Sequence, residues 1–312
     1  MLRFLSGRLL RAALTITMVV TFAFVVLRLS GDPAMLILSL DAPPEAVEAF
    51  RTSWGLDAPL WEQYLRYFIA IARGDLGQSM RDGRDAIDLV AERIPATLAL
   101  TLPALAMKVG LGLPAGVYAA LHRNSFTDRA VMVLAVAGFT VPSFVLGLLL
   151  VLLFAVQLGW LPSGGQEGWR HAILPVITLG VGGAAVLARF TRSAMLEVLG
   201  QPYMRTASAK GVPWRVAVWR HALPNAAIPT VTIVGFMVGS LIAGAVVVES
   251  VFSWPGVGRL LVVAVANRDL AVVQCVLLLV AVTMVTANLI VDVLYGVIDP
   301  RLRVAGTTSG GG

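Results

Sequence analysis

Long stretches without Asp, Glu, Lys or Arg constrain this chain more than any other feature. Ala12 to Leu27 is the first and Ile94 to Leu121, interrupted only by Lys108, is the second. Ala130 to Gln166 is the third, Ala172 to Ala188 the fourth, Ala222 to Val248 the fifth and Leu270 to Val291 the sixth. A helix crosses a bilayer in about 20 apolar residues, so six transmembrane helices are expected. None of the stretches alternates with period two, which excludes a transmembrane β-barrel. Composition agrees: 58% of residues are apolar, 13% are charged, and the mean hydropathy is +0.83. A water-soluble globule could not hide that much apolar surface, and disorder needs the opposite composition. The expected fold class is an all-α membrane protein.

Basic residues set the orientation. With the N-terminus in the cytoplasm, the inner segments carry Arg3, Arg8 and Arg11, then Arg123 and Arg129, then six bases from Arg189 to Arg220, then Arg301 and Arg303. The short outer segments carry only Arg170, Arg259 and Arg268. The long segment from Ser30 to Arg93 holds 11 acids against 6 bases and goes outside. Both termini are then cytoplasmic. The net charge of +6 reflects this topology signal, and no nucleic-acid partner is expected. The first span ends in Arg28-Leu29-Ser30-Gly31-Asp32 without a small-residue cleavage site, so it reads as a retained anchor. Residues 1–29 form the inner end and first span, 30–94 the outer loop region, 95–297 the membrane core and 298–312 the inner tail. The tail from Gly306 onward is Gly, Thr and Ser only, the composition of a flexible end. The single Cys275 rules out a disulfide framework and a thiolate zinc cluster.

The stretch between spans four and five, 194–226, carries the most information. Leu199, Tyr203 and Ala207 are spaced i, i+4, i+8 as on a helix, and Gly211 with Pro213 beyond it is a helix stop. The small residues Ala207, Ser208 and Ala209 let another surface approach the backbone. A short helix lying along the inner face is expected, either an anchor in the headgroups or a knob for a cytoplasmic partner.

This loop resembles the EAA loop of permease subunits of bacterial ABC importers, whose pattern is E-A-A, three residues, G, nine residues, I-x-L-P. Arg205-Thr206-Ala207, Gly211 and His221-x-Leu223-Pro224 match its spacing, with Arg205, Thr206 and His221 departing from its residue types. Those departures, with Tyr203, Ala209, Lys210 and Asn225, are similar to the dipeptide, oligopeptide and nickel branch. Further pieces follow in the same order. They are Ser30-Gly31-Asp32-Pro33, Trp54-Gly55-Leu56-Asp57, Gly74-Asp75-Leu76-Gly77-x-Ser79, and Pro95-x-Thr97-Leu98. Then come Glu249-x-Val251-Phe252-Ser253-x-Pro255-Gly256-x-Gly258-Arg259 and Asp299-Pro300-Arg301.

The resemblance implies a type I ABC importer permease fold in the bacterial inner membrane, with a cytoplasmic coupling helix. It implies an ATPase-docking set of Glu197, Tyr203, Arg205, Thr206, Ala207, Ala209, Lys210 and Gly211. It also implies a second, homologous permease subunit, two cytoplasmic ATPase subunits and a periplasmic substrate-binding protein as partners. The implied cargo is a di- or oligopeptide; glutathione, nickel and other metal chelates are the alternatives within the branch.

The chain itself carries no phosphate-binding loop: Lys108 precedes Val109 and Lys210 precedes Gly211, whereas that loop needs Ser or Thr after its lysine. ATP and magnesium are therefore expected on the partner ATPases, with no cofactor on this chain. His122, His171 and His221 fall at separate span ends, so neither a catalytic nor a metal site is expected. Lys108 is the one cation well inside a span, roughly 18 Å from its inner end at 1.5 Å per residue. Such a charge lines a pathway or pairs within the membrane, and Asp292 is a candidate partner. A self-sufficient secondary transporter is the rival class, but it needs intramembrane coupling sites and only Lys108 and Asp292 qualify. In the outer loop, Leu60, Tyr64, Tyr67 and Phe68 share helical spacing. They fit an aromatic interfacial belt or a receiving surface for a binding protein.

Overall fold

The computed structural model describes residues 2–29, 34, 38 and 42–298. The Ser30–Pro33 and Asp299–Arg301 motifs, the tail and the side chain of Asp292 lie outside the described residues. Among the described residues there is no strand, only an isolated bridge between Gln78 and Asp85.

The chain runs α1 (Leu2–Leu29), α2 (Pro44–Ser53), α3 (Leu60–Ala72), α4 (Ala86–Ala91) and α5 (Ile94–Leu121). Then come α6 (Phe126–Thr140), α7 (Ser143–Gln157), α8 (Trp169–Leu199), α9 (Pro202–Ala209) and α10 (Trp214–Gly239). The last are α11 (Val246–Val251), α12 (Val257–Ala266) and α13 (Leu270–Ile298). Helices are forced here because lipid offers backbone groups no water to bond. α5, α8, α10 and α13 each contain a stretch long and apolar enough to cross a membrane.

All six apolar stretches fold as helix, with three departures from straight spans. The third breaks at Val141-Pro142, and α6 and α7 diverge there by 98°. Val141 is extended, as the residue before a proline prefers, and Pro142 has no N–H to continue the ladder. The fifth ends as a regular helix at Gly239 rather than Val248, and a 3₁₀ turn at Ala243–Ala245 leads into α11. In the first, the apolar part is the 14 residues Ala13–Val26.

α5 and α8 pack along their lengths. Gly112 and Gly116, four apart on α5, remove the side chains that would hold the helices away. A Cβ at Gly116 would stand 2.5 Å from the Ala188 carbonyl oxygen. α13 packs against α10 and α1. Tyr64 and Tyr67 of α3 turn toward the first span: Tyr64 and Thr21 share a hydroxyl hydrogen bond of 2.8 Å, and the Phe24 ring meets those of Tyr64 and Tyr67. That packing favours the membrane-side belt over a receiving surface for these residues.

Candidate functional site: the loop helix and the opposite end

α8 ends at Leu199, and Gly200-Gln201 interrupts the chain before α9 starts with Pro202 at its first turn. Pro at that position costs nothing, because its missing N–H has no helical acceptor. At the other end Lys210 N–H donates to Thr206 O and Gly211 N–H to Ser208 O. Gly211 has φ +78°, the left-handed conformation that closes the helix and that glycine adopts without strain. The expected helix is therefore present over Pro202–Ala209.

The expected stripe is not. Leu199, Tyr203 and Ala207 do not lie on one helix, because Gly200-Gln201 intervenes. Leu199 joins a cluster on the bundle, whereas Tyr203 is exposed. The anchor of α9 is Met204, which is buried with Ala120, Ala194, Met195, Ala217, Val218 and Ala222. Sequence reasoning passed over Met204, although it is the only long aliphatic side chain between Leu199 and Val212.

Tyr203, Arg205, Thr206, Ala209, Lys210 and Gly211 are exposed together, and Ala207 is half-buried. Desolvation raises the Tyr203 phenol from its ordinary value, and its hydroxyl can donate. Glu197 is exposed too, but on the last turn of α8, before the break. Arg215, Arg220 and His221 are exposed just beyond, so the face is predominantly basic. Beside it, Asp128 at the start of α6 is buried and takes a two-pronged bond from Arg192 on α8. Nε lies 2.5 Å from Oδ1 and a terminal nitrogen 2.7 Å from Oδ2. The Asn124 N–H donates to the same carboxylate at 2.9 Å.

At the opposite end of the bundle, two of the sequence motifs interlock. Thr97 donates its hydroxyl to Glu249 Oε1 at 2.7 Å, and Glu249 Oε2 accepts the Arg259 N–H at 3.0 Å. Val257 N–H donates to Thr97 Oγ1 at 2.8 Å, and the Trp254 indole donates to Ala96 O at 2.8 Å. Glu249 is fully buried. It satisfies amides at the start of α12, which is why a carboxylate is tolerated there. A third motif closes the same end: Ser79 Oγ donates to Asp269 Oδ2 at 2.5 Å just before α13.

Lys108 is half-buried on α5, and its stem lies across Gly183 of α8. Among the described residues, no group of three or more His, Cys, Asp or Glu side chains is placed to hold a metal.

Among the described residues this is a strand-free bundle of apolar helices, one of them sharply bent, with a short exposed helix between two of them, the architecture of a multi-pass membrane protein. Residues 112–304 match the family model described as "Binding-protein-dependent transport system inner membrane component", and residues 1–101 match its N-terminal companion. The chain belongs to this family: it is a multi-pass permease subunit of an ABC importer in the bacterial inner membrane. It is 46% identical over 305 residues to the glutathione transport system permease protein GsiC of Escherichia coli (strain K12). That alignment covers 97% of this chain and 99% of the relative. Among solved structures, it resembles a chain of the MetNI methionine ABC transporter in an inward-facing conformation. The TM-score is 0.57 at 21% identity, over 68% of this chain and 97% of that one. An amino acid ABC transporter gives a TM-score of 0.52 at 19% identity, over 67% of this chain and 93% of that one. Both likenesses speak to the fold. Family membership sets aside the self-sufficient secondary transporter.

Proposed function

We propose that this chain forms, with a second homologous permease, the pathway of an importer for short peptides of the glutathione kind. Two cytoplasmic ATPase subunits would drive it, and a periplasmic binding protein would deliver the cargo. The observation that supports the cargo is the near end-to-end alignment with a glutathione permease. The drive enters at α9: its residues Tyr203, Arg205, Thr206, Ala209 and Lys210 stand out together from a single buried anchor, and Gly211 closes the helix. A short helix held this way can seat in a groove and pass its motion to α8 and α10, which flank it. This chain binds no ATP, magnesium or other cofactor and is not itself a catalyst.

The α9 end then faces the cytoplasm, with both termini, and residues 42–93 face the periplasm. Uptake of labelled glutathione into proteoliposomes holding all subunits tests the cargo; it should require both ATP and the loaded binding protein. Uptake without ATP overturns the reading. A cysteine at Ser53, in a Cys275→Ser background, should react with an impermeant maleimide added outside intact spheroplasts. Labelling only after the membrane is broken inverts the topology.

A further inference from the structure

The bend between α6 and α7 leaves a half-open groove of about 290 Å³. It is walled by Phe139, Pro142 and Ser143 of the bend, Thr178 and Gly183 of α8, and Met237 of α10. Three helical segments thus border it, and Ser143 and Thr178 supply its hydroxyls.

Gly183 has a second neighbour. A Cβ there would lie 2.5 Å from Lys108 Cδ and 2.6 Å from Cε. A side chain at 183 would displace that stem, and the ammonium is one bond further on. The lysine thus reaches across α8 at a residue that also lines the groove. The heights agree independently. Lys108 stands 13 residues from the α5 terminus at Leu121, and the bend 14 residues from the α6 start at Phe126. The turn at 122–125 joins those two ends, so lysine and groove both lie about 20 Å from it at 1.5 Å per residue.

A charged ammonium at that depth is costly unless water or an anion meets it. Among the described residues, Lys108 has no carboxylate bonded to it. Every peptide with a free C-terminus carries the complementary anion. We propose that the Lys108 ammonium, beside the bend groove where its stem crosses Gly183, is a transient binding site for a carboxylate of the peptide in transit. The proposal rests on the peptide reading above. An ammonium suits the task, since a point charge on a flexible stem holds an anion without a fixed geometry and releases it readily.

The test uses the complete transporter in proteoliposomes, with Cys275→Ser as the parent. Lys108→Cys should lower glutathione uptake at least about tenfold, the scale of a lost charge contact in a desolvated site. Treating the reconstituted Cys variant with an aminoethyl methanethiosulfonate rebuilds a lysine-like cation and should restore uptake. The methyl reagent should not restore it, and the sulfonatoethyl reagent should lower it further. Rescue on the assembled protein separates lost charge from lost folding. Lys108→Met, similar in length but neutral, should raise the KM for glutathione more than it lowers kcat.

The competing role is a bond to Asp292. If Lys108→Gln with Asp292→Asn transports at the parent level, the lysine neutralises the protein and the proposal falls. If the double variant is as impaired as Lys108→Gln alone, the proposal stands. Equal recovery with methyl and aminoethyl reagents also overturns it. A parent that transports no peptide sinks the peptide reading. A transporting parent indifferent to Lys108 sinks only this site.

Discussion

The Glu249 end of the bundle and the loop helix α9 are held by different forces. At the end with Glu249, long-range polar bonds join α5, α11 and α12: Thr97, Glu249, Trp254 and Val257 satisfy one another in a buried network. The loop helix α9 rests on Met204 alone, in a cluster of alanines with Met195 and Val218, and its polar residues face outward. Buried polar networks fix one geometry, because each unmade bond leaves a desolvated group. A small apolar contact fixes a position loosely and lets its helix follow a partner. The difference assigns rigidity to the Glu249 end and transmission to the loop helix.

Breaking the network should have the largest effect on stability. Glu249→Ala leaves the Thr97 hydroxyl without its acceptor and strands amides at the start of α12. At about 1–3 kcal/mol for each unsatisfied buried group, the loss is about 3 kcal/mol or more. The melting midpoint of the detergent-purified chain should fall by about 10 °C. A shift no larger than that of Ser53→Ala, an exposed control, would erase the contrast between the two regions.

Met204→Ala probes the other side of the comparison. Burial loss for a core methionine is typically about 2–5 kcal/mol, and a surface helix that can settle inward keeps it near the lower figure. The expected melting shift is smaller than for Glu249→Ala, while ATP-coupled uptake falls severalfold because α9 loses its seat. Hydrogen exchange should show the change confined to residues around 200–215. A change that spreads to 249–259 would mean the two regions are not independent.

How much of this was legible in the sequence follows from the range of each interaction. The apolar stretches located the spans because a backbone in lipid must bond to itself, which is a local rule. The α9 helix and its Gly211 stop were legible for the same reason. The bend at Pro142 was not: the run from Ala130 to Gln166 holds no charge to mark a break, and proline alone does not decide, since Pro103 and Pro114 sit inside the continuous helix α5. Likewise Thr97 and Glu249 are 152 residues apart, and no periodicity joins them. Both had been noticed in motifs, but their meeting is a product of the packing of α5 against α11 and α12. The bond between Asp128 and Arg192 escaped for another reason. Arg192 is one of the inner bases that set the orientation, and a topology count treats every arginine as solvated.

Gly211→Asp should have the smallest effect on stability and separates it from function most cleanly. Nothing stands within 4 Å of the place a Cβ would take, so the cost is conformational alone. A non-glycine residue at a φ of +78° costs about 1–2 kcal/mol, with aspartate among the better tolerated. The melting midpoint should move by no more than a few degrees, and the protein should still reach the membrane. Uptake should nonetheless be abolished, because the new carboxylate projects from the exposed, predominantly basic face that is proposed to seat in the ATPase. A stability loss as large as that of Glu249→Ala would show that Gly211 serves the fold. Normal coupled uptake with an unchanged midpoint would instead remove α9 as the docking element, since it would leave the most exposed end of that helix without a role in transport.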